Sequence, residues 1–188
     1  MTHRNPSDSD IAQLLTDAST IAIVGASSNP DRSSYGIMRR LQQVGYRVFP
    51  VNPRETEVLG ERSYPSLADI PEPVDIVDVF RRAEEAPHIA DEAVQIGAKV
   101  LWLQSGISSE DAAARAEAGG LAVVMDACIG TAHALLRVPA KPRAYLDGPR
   151  EEGVLEPLNP IFLAAVSQFT TACMTATSKS RAIPGVAV

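Results

Sequence analysis

The residues with the clearest capacity for chemistry lie in "IAIVGASSNPDRSSYGIM", Ile21 to Met38. Gly25 directly follows an apolar run, where a missing side chain lets the backbone turn and approach a ligand. Ala26 and Ser27 are small enough to keep that approach open. Ser27, Ser28, Ser33 and Ser34 offer hydroxyls, Arg32 offers a forked cation, Tyr35 follows, and Gly36 stands where a helix opens. A strand–turn–helix of this kind points backbone N–H groups and a helix N-terminus at phosphate. The second and third glycines of a dinucleotide fingerprint are missing, however, and serines, Pro30, Arg32 and Tyr35 occupy that stretch. A plain tight turn with solvated serines is the competing reading; small residues, hydroxyls and an arginine together favour phosphate binding.

Three further sites carry compatible chemistry. The second apolar run ends "FPVNPRE", which offers Asn52, Pro53 and Arg54 where an NAD-binding chain usually carries an acid for the ribose hydroxyls. A guanidinium there suits an extra ribose phosphate, as in NADP or coenzyme A. Glu55 and Glu57 lie beyond the turn-forming proline and do not restore the NAD pattern. The third run ends in Arg81 and Arg82, cations at a helix start that are unfavourable without an anion, although a solvated pair is the plainer alternative. The fourth ends "LQSGI", placing Gln104, Ser105 and Gly106 on the same expected edge.

Catalytic sets are thinner. Cys128 and His133 invite a nucleophile–base reading that needs hydrogen-bond reach, while buried cysteine more often serves as an inert small hydrophobe. Asp78 and Asp126, at strand ends, read as loop-fixing groups rather than an acid–base pair. His3 falls in a terminal segment expected to be mobile, and His88 in a helix with no fixed acidic orienter. No His, Cys and carboxylate spacing suits a metal, so neither a metal nor a catalytic residue is expected.

These groups need a scaffold that brings strand ends to one edge. Five apolar, β-branched runs provide it: Thr20–Val24, Tyr46–Val51, Val74–Phe80, Lys99–Gln104 and Leu121–Met125. Continuous rather than alternating apolar residues suit strands buried on both faces. Helical segments separate them, with Ile37, Leu41 and Val44 inward in the first, stopped by Gly45. Ile89, Ala93 and Ile96 point inward in the second, stopped by Gly97. Ser108 or Ser109 caps a third, which ends at Gly119-Gly120, and a leading helix covers about Asp8 to Ala18. The expected fold is α/β, a Rossmann-like doubly wound parallel sheet of about five strands with flanking helices. Residues 1–19 form an N-terminal segment and 20–136 the ligand domain. Residues 137–188 form a Pro-rich extension in which "IFLAAVSQFTTACMTATSKS" is either an apolar helix or disordered, before a frayed tail.

The chain has 188 residues, 45% hydrophobic and 21% charged, with a formal net charge of -6. That balance excludes whole-molecule attraction to nucleic acid or an anionic membrane, so an anionic ligand needs a local arginine cluster. Two cysteines without metal spacing, no signal-like start and no apolar run of spanning length together make a cytoplasmic protein the expectation.

In order, "VGASSNPDRSSYGI", "GYRVFPVNPRETEVLGERSYPSLADIPEPVDIVDVFRR", "GAKVLWLQSGI" and "LAVVMDACI" resemble the small CoA-binding proteins. Their fold is similar to the CoA-binding domain of the succinyl-CoA synthetase α subunit and of ADP-forming acyl-CoA ligases. The resemblance spans roughly residues 10 to 136. It implies that coenzyme A or an acyl-CoA lies across Gly25–Ser28, with Asn52–Arg54 at the adenosine end and Gln104–Gly106 towards the pantetheine. Two departures stand out: Ala127 replaces a basic residue before Cys128, and His133 lacks the acid usually beside it. The chain has no phosphohistidine loop or ATP-grasp domain, so the expected role is non-catalytic: carrier, sensor or regulator. An NADP-linked oxidoreductase and a ligand-free interaction module are the alternatives. The extension is a candidate for self-association or for binding a protein partner.

Overall fold

The computed structural model describes residues 2–142. Helix α1 (Asp8–Asp17) leads into strand β1 (Thr20–Val24), and helix α2 (Ser33–Gln43) into β2 (Arg47–Val51). A small hairpin, β3 (Glu57–Val58) and β4 (Glu61–Arg62), precedes β5 (Ile76–Val79). Helix α3 (Ala86–Gln95), β6 (Val100–Leu103), α4 (Glu110–Ala118), β7 (Ala122–Val124) and α5 (Ile129–Leu135) complete the described order.

The five main strands pair in parallel in the order β2-β1-β5-β6-β7. The strand order therefore reverses between β1 and β5, and in open α/β sheets ligands bind in the crevice beyond the strand ends at such a reversal. Every residue of β1, β5 and β6 is buried, which explains their unbroken apolar character. Ile21 and Ile23 face Met38, Leu41 and Ile129 on one side of the sheet. Ala22 and Val24 face the side covered by Ala90, Ala93, Ala113 and Ala116. Small alanines on α3 and α4 let those helices sit close to the sheet and to each other.

The helix ends follow local chemistry. Ser7 caps α1 in a reciprocal capping box with Asp10, and Ser109 accepts from the Ala112 N–H to cap α4. On α2 the buried stripe is Ser34, Met38 and Leu41, with Ile37 and Val44 only partly covered. Gly36 stands fourth in α2, inside its first turn rather than at its opening.

Two features depart from the sequence expectation. The β3–β4 hairpin turns on Leu59 and Gly60, both at positive φ (51° and 79°). A two-residue turn needs that conformation at both centres, and a leucine there hides the signal. The N-terminus is also tied down: Asn5 Nδ2 donates to the Met125 carbonyl and its Oδ1 accepts the Met125 N–H, each at 2.8 Å. His3 Nδ1 lies 2.7 Å from Glu117 Oε1, so this segment is pinned both to the residue after β7 and to α4. Beyond α5, Val138 is buried and the Lys141 N–H donates to the Val44 carbonyl at 2.8 Å, so packed chain continues past residue 136. The expected apolar helix and tail lie outside the described residues.

Candidate functional site

Gly25 ends β1 with φ +90°, and a Cβ there would lie 2.8 Å from the Phe80 carbonyl oxygen. Both the conformation and the space require glycine, and the Arg81 guanidinium crosses directly above. The loop that follows holds its own shape: Ser27 Oγ accepts the Asn29 N–H, and Asn29 Oδ1 accepts the Asp31 N–H. Arg32 is the N-cap residue of α2 but makes no capping hydrogen bond with its side chain. The Ser33 and Ser34 amides are thus left for another acceptor, while the Tyr35 N–H donates to the Arg32 carbonyl, and the helix dipole favours an anion there.

Asn52 has a structural task. Its Nδ2 donates to the Ala26 carbonyl at 2.7 Å and its Oδ1 accepts the Arg54 N–H at 3.0 Å, pinning the turn after β2 to the glycine loop. Glu55 Oε1 accepts the Ser28 N–H at 3.0 Å, and that bond holds its carboxyl below the usual range.

Two cavities open at this edge. The polar one, about 470 Å³, is lined by Gly25, Ser27, Arg32, Ser33, Asn52 and Arg54, joined by Ser34, Glu55, Phe80 and Arg81. Three arginines face one carboxylate in a molecule that is acidic overall, the local cluster an anionic ligand requires. The second cavity, about 630 Å³, is lined by Gly36, Arg82, Gln104 and Ser105 together with Ile37, Ile107 and Cys128. Ser33, Phe80 and Arg81 belong to both, so the cavities share a wall at the strand reversal. Of the sequence-predicted residues, Ala26, Ser28, Tyr35, Pro53 and Gly106 line neither cavity. Ala26 is buried beneath the loop, and Gly106 donates its N–H to Asp126 Oδ1 at 2.7 Å. Asp126 thereby fixes the "LQSGI" turn, itself at φ 53°.

Beneath the second cavity lies a buried pair. Gln104 Nε2 donates to Asp78 Oδ1 at 2.8 Å, while Asp78 Oδ2 has no partner among the described residues. Burial pushes the Asp78 carboxyl up to about 8 against the opposing hydrogen bond from Gln104. Asp78 therefore sits inside the sheet rather than capping a strand end. Cys128 is half-buried at the start of α5. His133 turns away from it: its ring packs edge-on to Tyr46 at 5.8 Å, and its Nε2 has no partner among the described residues. Burial, aided by Arg40 and Lys141, lowers the His133 pKa. His88 is exposed and lies 3.3 Å from Glu92 one turn on. Among the described residues no cluster of His, Cys, Asp and Glu could hold a metal, and no helix is long and apolar enough to cross a membrane.

The model of the CoA binding domain family matches residues 19–134, which contain both cavities and the whole sheet. The chain belongs to that CoA-binding family. Over 134 residues it is 41% identical to YneT of Bacillus subtilis, an uncharacterized protein, covering 71% of this chain and 99% of that one. It is 33% identical over 94 residues to the ADP-forming acetate–CoA ligase II of Archaeoglobus fulgidus, covering 48% of this chain but only 14% of the ligase. A hypothetical protein of Pyrococcus horikoshii shares the fold with a TM-score of 0.69 and 36% identity, over 73% of this chain and 99% of that one. The five-strand parallel sheet and the family match agree with the Rossmann-like fold and the CoA-binding resemblance read from the sequence. Neither the hairpin nor the Asp78–Gln104 pair was foreseen. A lone Asp in an apolar run, three residues before two arginines, was the available signal for the buried pair.

Proposed function

We propose that this protein binds coenzyme A, free or acylated, at the carboxyl edge of its sheet and serves as a carrier, sensor or regulator without converting it. The observation that carries this reading is the shared wall of the two cavities at Ser33, Phe80 and Arg81. Coenzyme A has an anionic nucleotide head and a long uncharged thiol arm, and one cavity suits each part. The arginines and the uncapped start of α2 would hold phosphates. Arg54, after the Asn52 turn, would take the ribose 3′-phosphate. Gln104 and Ile107 would flank the pantetheine. A Cys128–His133 nucleophile–base pair finds no support, since the His133 ring packs on Tyr46 and its Nε2 has no partner among the described residues.

Calorimetry under reducing conditions with CoA, dephospho-CoA and NADPH tests the reading. CoA is expected to bind most tightly, with dephospho-CoA weaker by about 10-fold, the worth of one charge-assisted contact. R54A should erase that difference. No heat with millimolar CoA would end the CoA reading, and tighter binding of NADPH would favour a nicotinamide cofactor instead.

A further inference from the structure

We propose that Glu55 is an internal occupant of the phosphate loop, which an incoming phosphate must displace, and that it thereby sets the affinity of the site. This rests on the CoA reading and assigns a role to the one carboxylate that lines the polar cavity. Glu55 Oε1 accepts the Ser28 N–H at 3.0 Å, from a turn 27 residues further along the chain. The Ser28 N–H, then the Ser28 and Ser27 hydroxyls, hold the carboxyl below its usual range against the opposing effect of burial. Backbone and hydroxyl donors after a glycine turn are the groups that attract phosphate. Ser28 itself lines neither cavity, whereas Glu55 lines the polar one, so at this point the loop presents a carboxylate where a bare amide would hold an anion.

The contact is built to be exchanged. Among the described residues Glu55 makes no ion pair with Arg32, Arg54 or Arg81, so these cations remain for the ligand. Its N–H donates to the Asn52 carbonyl at 3.2 Å, which fixes the backbone and leaves only side-chain torsions to change. The loop does not depend on Glu55 for its shape. Ser27 Oγ accepts the Asn29 N–H, Asn29 Oδ1 accepts the Asp31 N–H, and Asn52 Nδ2 holds the Ala26 carbonyl. One N–H serves one well-aligned acceptor, and two anionic oxygens crowded onto it repel. A phosphate oxygen on the Ser28 amide therefore replaces the carboxylate rather than joining it.

The test titrates the full chain, as wild type, E55A and E55Q, with CoA, inorganic pyrophosphate and pantetheine in a calorimeter at low and high salt. E55A frees the amide and removes the charge. It should tighten CoA and pyrophosphate by about 10-fold or more, the worth of a hydrogen bond to a charged group. E55Q removes the charge but keeps an acceptor for Ser28, so its gain should be smaller and should fade with salt, while most of the E55A gain survives. Pantetheine, which carries no phosphate, should not discriminate among the three. Weaker CoA binding by E55A would make Glu55 a ligand contact and overturn the proposal. Equal gains in E55A and E55Q, the mark of distant repulsion alone, would overturn it too. CoA that binds wild type and E55A equally would sink displacement and leave the CoA reading standing. Pyrophosphate that follows the expected order while CoA gives no heat would keep displacement and remove the CoA reading. Protein that binds neither would remove both.

Discussion

Asp75 and Asp78 lie on the same stretch of chain, one entering β5 and one within it, and their surroundings treat them in opposite ways. Asp75, at the amino edge of the sheet, accepts the Ser19 N–H at 2.7 Å, the Thr20 N–H at 3.1 Å and the Thr20 hydroxyl at 3.0 Å, and pairs with Lys99 at 2.8 Å. Burial pushes its carboxyl up, but the hydrogen bonds from Lys99, Ser19 and Thr20 outweigh that and hold it below the usual range. Asp78, towards the carboxyl edge, has one partner and one orphaned oxygen. The amino edge is closed on itself. The carboxyl edge keeps backbone and side-chain groups uncommitted beside two cavities, the property a binding edge needs.

Breaking the closed edge should have the largest effect. D75A orphans two buried-edge N–H groups, and a loss of about 3 kcal/mol, roughly 6–12 °C in Tm, is expected by thermal unfolding at pH 7. Because the Asp75 pKa is lowered on folding, its contribution is present above the ordinary aspartate range and fades as pH falls through the lowered value. At the open edge, G25A forces a Cβ against the Phe80 carbonyl at φ +90°. It should cost about 2 kcal/mol of stability and weaken CoA binding by at least about 10-fold, read by melting and calorimetry.

Asp78 gives the opposite pH sign. Its folded pKa is raised, so the unfolded chain ionises first, and wild-type stability should decline as pH rises from 3.8 towards about 8. D78N removes the titrating group and should flatten that slope in denaturant titrations across the range. An unchanged slope would contradict a buried neutral acid. The smallest effect belongs to E55Q. It removes the one carboxylate of the polar cavity, so CoA should bind about 2–5-fold tighter at low salt, with the gain shrinking as salt is added.

Much of this edge was legible because parallel strands buried on both faces leave continuous apolar runs, and their ends carry the loop chemistry. Gly25, Arg54 and Arg81 stand out by type alone. The role of Asn52 did not, since its bond to Ala26 depends on β1 and β2 lying side by side, which spacing cannot supply. Strand order was equally hidden, and with it the shared wall between cavities. Two-residue strands such as β3 and β4 are too short to leave a periodicity. The pairing of Asn5 with Met125 joins residues from opposite ends of the domain by side chain to backbone, so no local pattern announces it.

The contrast between edges can be read residue by residue by titrating isotopically labelled protein with CoA and following backbone amide resonances. The largest shifts are expected at Gly25–Gly36, Asn52–Glu55 and Gln104–Ile107, with Ser19, Thr20 and Lys99 at the closed edge unmoved. Shifts concentrated at the amino edge, or confined to the loop after Gly25 with Gln104–Ile107 silent, would contradict a ligand that spans both cavities.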